Sequence, residues 1–223
     1  MISPYDWQEG VSNRAQYIEG RLAQGLPVLA ISLNEGLLMY SRRRQSRKVF
    51  EIYDRIIFAG LGQQSDLEAI RAAALEFASR EGYQRSEDDV TVQRVATTVS
   101  GPIKQAFADF RTAPVVARSL FAELGATPEK DTYYVIDFDG DYAVARLRSA
   151  IAGTLDIGSK LETALSEIPT ATEPEAAIAK LSDIFDSSFE GTVPAGLKEE
   201  AILIERNTLR EDRFRVLRAV EGI

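Results

Sequence analysis

Hydrophobic spacing changes period several times along this chain. In SNRAQYIEGRLAQG, Ala15, Ile18 and Leu22 recur at helical spacing. Ser12 is placed to cap that helix, Gly25 to end it and Pro27 to prevent its return. Residues 1–11 carry Pro4 and Gly10 without an apolar period and read as a loosely held segment. The pattern then becomes extended. PVLAISL and GLLMYS flank an Asn-Glu-Gly turn, and SRKVFEI and RIIFAGLG flank Tyr53-Asp54, which predicts two hairpins. QSDLEAIRAAALEFASREG returns to helical spacing, with Leu67, Ile70, Ala74, Phe77 and Ala78 on one face, Ser65 or Asp66 as cap and Gly82 as stop. A second helix starts at Ser86 and runs through DVTVQRVATTVSGPIKQAF, with a kink expected at Gly101-Pro102.

Three strands follow, in PVVARSLFAEL, DTYYVIDFDGD and YAVARLRSAIAG, with Asp139-Gly140 as a hairpin turn. Helices are predicted in DIGSKLETALSEI and EPEAAIAKLSDIFDSS, and strands in EEAILIER and RFRVLRAV. Strands in blocks separated by helix pairs indicate α+β, not alternating βαβ units. Two antiparallel sheets, each with a helix pair on its outer side, bury every apolar face: a four-layer α-β-β-α sandwich. No internal repeat is visible, and the polar stretch 169–174 reads as an inter-helix loop, so residues 1–223 read as one domain.

Composition narrows the chemistry. The 223 residues include no Cys and no His. That removes disulfides, thiolate ligands, a Cys nucleophile and any Ser-His-Asp triad. No metal site and no cofactor are expected. A net charge of -8 argues against a general nucleic-acid binder. No stretch of about 18 apolar residues spans a membrane, and MISPYDWQEG does not have the form of a signal peptide. The expected location is cytoplasmic.

RKVFEIYDRIIFAGLGQQSDLEAIRAAALEFASREGY resembles the proteasome family, nearest to the α-type subunits of actinobacterial proteasomes. The resemblance spans nearly the whole chain. It takes in the helix before the first strand, the NEG hairpin, the Lys48-to-Arg55 turn, the AGLG cluster and DDVTVQRVA. It implies the four-layer sandwich of that family (the Ntn-hydrolase fold). Catalytic β-type chains of the family start their first strand with a Thr nucleophile. Here that point falls at about Leu26 or Pro27, and no Thr precedes Thr91. The family's Asp falls at about Arg42; only its Lys is kept, as Lys48. Residues 12–25 form a helix where a mature β-type chain has none.

The resemblance therefore implies a non-catalytic α-type subunit in a seven-membered outer ring, stacked on β-type subunits that carry the catalysis. Residues 1–11 become a gate segment over which unfolded protein substrates enter. Ser3, Pro4, Tyr5 and Tyr17 are its gate and pore residues, and for Tyr17 the competing reading is plain helix packing. Lys48 would receive the terminal carboxylate of an activator such as a ring ATPase, against the reading of an ordinary lysine. No nucleic-acid and no membrane partner is implied. A stand-alone peptidase using Ser46 beside Lys48, and a non-proteolytic ring-forming scaffold, remain as alternatives.

Three further stretches have plain and functional readings. SRRRQSRK is a solvated turn or a patch for nucleic acid or an acidic partner, and no interleaved aromatic pattern supports nucleic acid. DFDGD is a hairpin turn rather than a cation loop, since the distal Glu of a calcium motif is missing. The LGQQ stretch lacks the glycines of a phosphate cradle, and the resemblance implies that it is where the fourth strand packs closely against the first long helix.

Overall fold

The computed structural model describes residues 4–189 and 191–218. Helix α1 (Pro4–Leu22) leads into β1 (Val28–Ser32), β2 (Gly36–Arg43), β3 (Val49–Tyr53) and β4 (Ile56–Gly62). Then come α2 (Gln64–Gln84), α3 (Val92–Ala108), β5 (Ala117–Glu123), β6 (Thr132–Ile136), β7 (Tyr142–Arg146) and β8 (Arg148–Ile151). The chain continues through α4 (Leu155–Leu165), α5 (Pro174–Ser187), β9 (Lys198–Glu205) and β10 (Phe214–Arg218). Among the described residues the strands make two five-stranded sheets, ordered β10-β9-β2-β1-β8 and β3-β4-β5-β6-β7, with every neighbouring pair antiparallel.

The central strands of each sheet are covered on both faces. Along β1, Val28 and Ala30 face the other sheet, while Leu29 and Ile31 face α4 and α5. Along β4, Ile57 and Ala59 face inward, while Ile56 and Phe58 face α2 and α3. Period-two alternation with apolar side chains on both sides is the signature of a strand inside a layered stack. The result is the α-β-β-α sandwich expected of this sequence. Ile18 and Leu22 of α1 are fully buried at one end of the inter-sheet core.

Several local details differ from the sequence reading. Helix α1 begins at Pro4 instead of Ser12. Its first turns show no apolar period because one side chain holds them: Phe110. Trp7 packs edge-on to that ring at 4.9 Å between centroids, and Gly10 lies against it. One helical turn on, Arg14 donates to the carbonyls of Ala106 (2.8 Å), Asp109 (3.2 Å) and Thr112 (2.9 Å). These lie at and just beyond the C-terminal end of α3, where a helix leaves carbonyls unsatisfied.

The run expected as one strand over 142–153 is two. Leu147 has φ 66° and breaks it, and the chain crosses from one sheet to the other, β7 to β8. A left-handed conformation costs a non-glycine residue about 1–2 kcal/mol. Neither Ser65 nor Asp66 caps α2; Gln63 holds that position, and the Asp66 carboxylate instead accepts the Val116 N–H at 2.8 Å. Gly82 does not stop the helix but admits the Tyr53 hydroxyl, which would lie 2.0 Å from a Cβ there. Thr91, not Ser86, caps α3; Ser86 caps a short 3-10 turn before it. Helix α3 continues through Pro102.

The strand-to-helix junction at LGQQ is close-packed, as the family resemblance implied. Gly62 has φ +132°, and a Cβ there would lie 2.1 Å from the Val116 carbonyl oxygen. Gly62→Ala should therefore lower stability by about 2–4 kcal/mol. Chemical denaturation measures this, and an unchanged midpoint would contradict the packing described.

Candidate functional site

The turn after β2 carries the chain from one sheet to the other, and Lys48 closes it. Its backbone N–H donates to Glu200 Oε2 at 2.9 Å, and Arg47 Nε lies 3.5 Å from Glu200 Oε1. Glu200 is in β9 opposite Ser41 and in phase with Ile202 and Ile204, so its side chain points between the sheets, and only 3% of the residue is exposed. A buried carboxylate needs such donors. The Lys48 side chain reaches the start of β1, where Nζ donates to the Leu26 carbonyl at 2.7 Å. Ser41 Oγ donates to the next carbonyl, Pro27, at 2.6 Å. Lys48 thus bonds to the beginning of the first strand and not to Ser46.

A cavity of about 370 Å³ opens beside Lys48, lined among others by Gly25, Leu26, Arg43, Arg44 and Ser46. Burial of the ammonium pulls its pKa down to about 7, and the Glu200 carboxylate opposes the shift. An ammonium has three donors, and one is committed to Leu26. With two arginines on the walls, the site favours an anionic group small enough to enter, such as a carboxylate.

The structure separates residues that the sequence placed together. Arg42 is on the opposite face of β2 from Ser41. It donates to Asp186 Oδ1 at 2.6 Å, to Ser182 Oγ at 2.7 Å and to Tyr40 Oη at 3.0 Å, and lies over the Phe185 ring. The inward positions near Lys48 are Ser41 and Arg43, and neither is acidic. The basic stretch 41–48 is therefore only partly a free patch. Arg42 is bound to α5 and Arg47 leans on Glu200 and Phe50, leaving Arg44 exposed.

Tyr17 is 55% exposed on α1, so it is not the packing residue its position suggested. Ser3 lies outside the described residues, as do the side chains of Pro4 and Tyr5. DFDGD forms the expected hairpin turn: Asp137 N–H donates to the Asp141 carbonyl, Gly140 has φ +83°, and Asp137 pairs with Arg118 at 2.9 Å. Among the described residues no group of three or more metal-ligating side chains comes together, and no helix is long and apolar enough to cross a membrane.

Glu200 is the residue that sequence reasoning missed. Its signal was present: in EEAILIE, alternation from Ile204 and Ile202 puts Glu200 on the inward face, where an acid is out of place.

No family model matches the chain. Individual relatives do. A proteasome subunit alpha of Actinosynnema mirum is 30% identical over 215 residues, covering 94% of this chain and 80% of the relative. The chain belongs to the proteasome α-subunit family. The same description attaches to a relative from Xylanimonas cellulosilytica, 28% identical over 91% of this chain and 85% of that one. Another comes from Frankia alni, 28% identical over 93% of this chain and 86% of the relative. The two residues that lead into β1 are Leu26 and Pro27, neither with a hydroxyl. The Lys48 amine that faces them is bonded to a main-chain carbonyl.

The lowered Lys48 value has a definite sign. Between about pH 7 and the ordinary lysine range near 10.4, the unfolded chain holds a proton that the folded chain has lost, so stability attributable to Lys48 rises with pH across that window and is level below it. Melting temperatures of wild type and Lys48→Met at pH 6.5 and pH 9.5 test this. The wild type should improve relative to the variant at the higher pH; an equal difference at both would mean that Lys48 titrates normally.

Proposed function

We propose that this chain, as one unit over residues 1–223, is a non-catalytic subunit of the outer, seven-membered ring of a core proteasome. Its role is to admit unfolded protein chains and to hold an activator. Hydrolysis belongs to a β-type partner subunit, and the complex works in the cytoplasm. The first residues, with Ser3, Pro4, Tyr5 and the exposed Tyr17, narrow the ring entrance. What favours this over a peptidase of the same fold is the start of β1. A nucleophile is required next to Lys48, and Leu26 and Pro27 are there instead.

Lys48 carries the docking half of the proposal. The observation behind it is an enclosed ammonium bonded to the Leu26 carbonyl beside a cavity with Arg43 and Arg44 on its walls. An activator's terminal carboxylate entering there would meet a charge-assisted donor in a partly desolvated site. Incoming negative charge raises the lysine's pKa, so docking should tighten as pH falls from 8.5 to 6.5.

Lys48→Ala, in a complex assembled with its β-type partner, should reduce activator-stimulated degradation about tenfold or more, the loss expected of one charge-assisted hydrogen bond. Undiminished stimulation would remove Lys48 from docking.

A further inference from the structure

The two sheets end in unpaired strands on the same flank. Strand β7 closes one sheet and β8 the other, and each has a single strand neighbour among the described residues. Between them lies a groove of about 380 Å³ with Val135, Ala143 and Ile151 on its walls. Asp139, Asp141 and Glu162 also line it, and none of the three forms an ion pair among the described residues. Tyr142 and Leu155 stand at the groove 45% and 66% exposed, and Val144 on the same edge is 53% exposed. An open strand edge carrying exposed apolar side chains is normally blunted or covered.

The turn after β2 leads onto β3, the opposite edge of the second sheet. It is basic: Arg43 and Arg44 line it, and Arg44 is exposed with no ion pair among the described residues. Strand register sets the relative heights of the two patches. Val28, the first residue of β1, is opposite Ser41 on one side and Ile151 on the other. In the second sheet Leu61 is opposite Arg118, the partner of Asp137. The basic turn and the acidic groove therefore occupy the same end of the sandwich. Unlike patches at one height on a single molecule suit a head-to-tail contact that closes into a ring rather than climbing into a filament.

We infer that the groove between β7 and β8 receives the Arg43-Arg44 turn of a second copy of this chain, with Asp139, Asp141 and Glu162 as the counter-charges. The inference rests on the ring proposed above and specifies which surfaces build it.

The test is sedimentation velocity on the full chain over a concentration series, alone and with the β-type subunit from the same source. Arg44→Glu and Asp141→Arg should each raise the concentration needed for assembly about tenfold, because each puts like charges together. The double exchange should recover most of the loss. Both positions are exposed, so melting temperatures should stay at the wild-type value. Because the chain has no Cys, an Arg44→Cys, Asp141→Cys variant adds an independent readout: oxidation should give an intermolecular ladder of covalent oligomers. Rings that persist undiminished in both single variants, with no ladder, would overturn this contact while leaving the ring in place. A wild-type chain that never assembles under either condition would overturn the ring and the contact together.

Discussion

The inter-sheet core is the constraint on which everything else depends. Two twisted sheets can share one apolar interior only if each strand contributes an apolar face to it, and here β1, β2, β4, β5 and β9 also bury their outer faces under helices. Strands of this kind have no polar side to present to water, so α2 with α3 and α4 with α5 are required covers. The same requirement makes any polar group at the sheet interface conspicuous. Glu200, Lys48 and Ser41 cluster at one end of that interface, where it opens, and each is bonded to backbone. The cluster fixes the crossing from β2 to β3 and the entry into β1 together.

Lys48 reaches back to the chain entering β1 and meets the Leu26 carbonyl there. An enclosed amine beside an open cavity has the chemistry to pair with negative charge. Helix α1 covers the same end through Ile18 and Leu22 and is held to α3 by the Trp7, Gly10 and Arg14 contacts around Phe110. One end of the sandwich thus collects the C-terminal end of α1, the lysine cavity and the acidic groove.

Most of the architecture was legible because period-two and period-3.6 patterns are direct consequences of layered burial. The strand at IIFAGLG and the helix face of Leu67, Ile70 and Ala74 needed nothing more. What escaped was set by tertiary contacts that leave no local trace. The break at Leu147 interrupts an unbroken alternation, and nothing in the residue itself announces a left-handed conformation. The early turns of α1 depend on Phe110, about a hundred residues away. Asp66 looked like a cap and serves Val116 instead, because a carboxylate satisfies whichever amide the fold brings near. At the site, Lys48 was recognisable only through the family resemblance, and Glu200 was overlooked although its phase gave it away.

The central claim is that this chain assembles a proteasome without doing its chemistry. The most direct measurement is to purify it co-expressed with the β-type subunit from the same source, and to record the mass and the peptidase activity of the product. The account predicts a particle containing both chains, whose activity disappears when the Thr nucleophile of the β-type chain is replaced. Peptidase activity from this chain alone would contradict it.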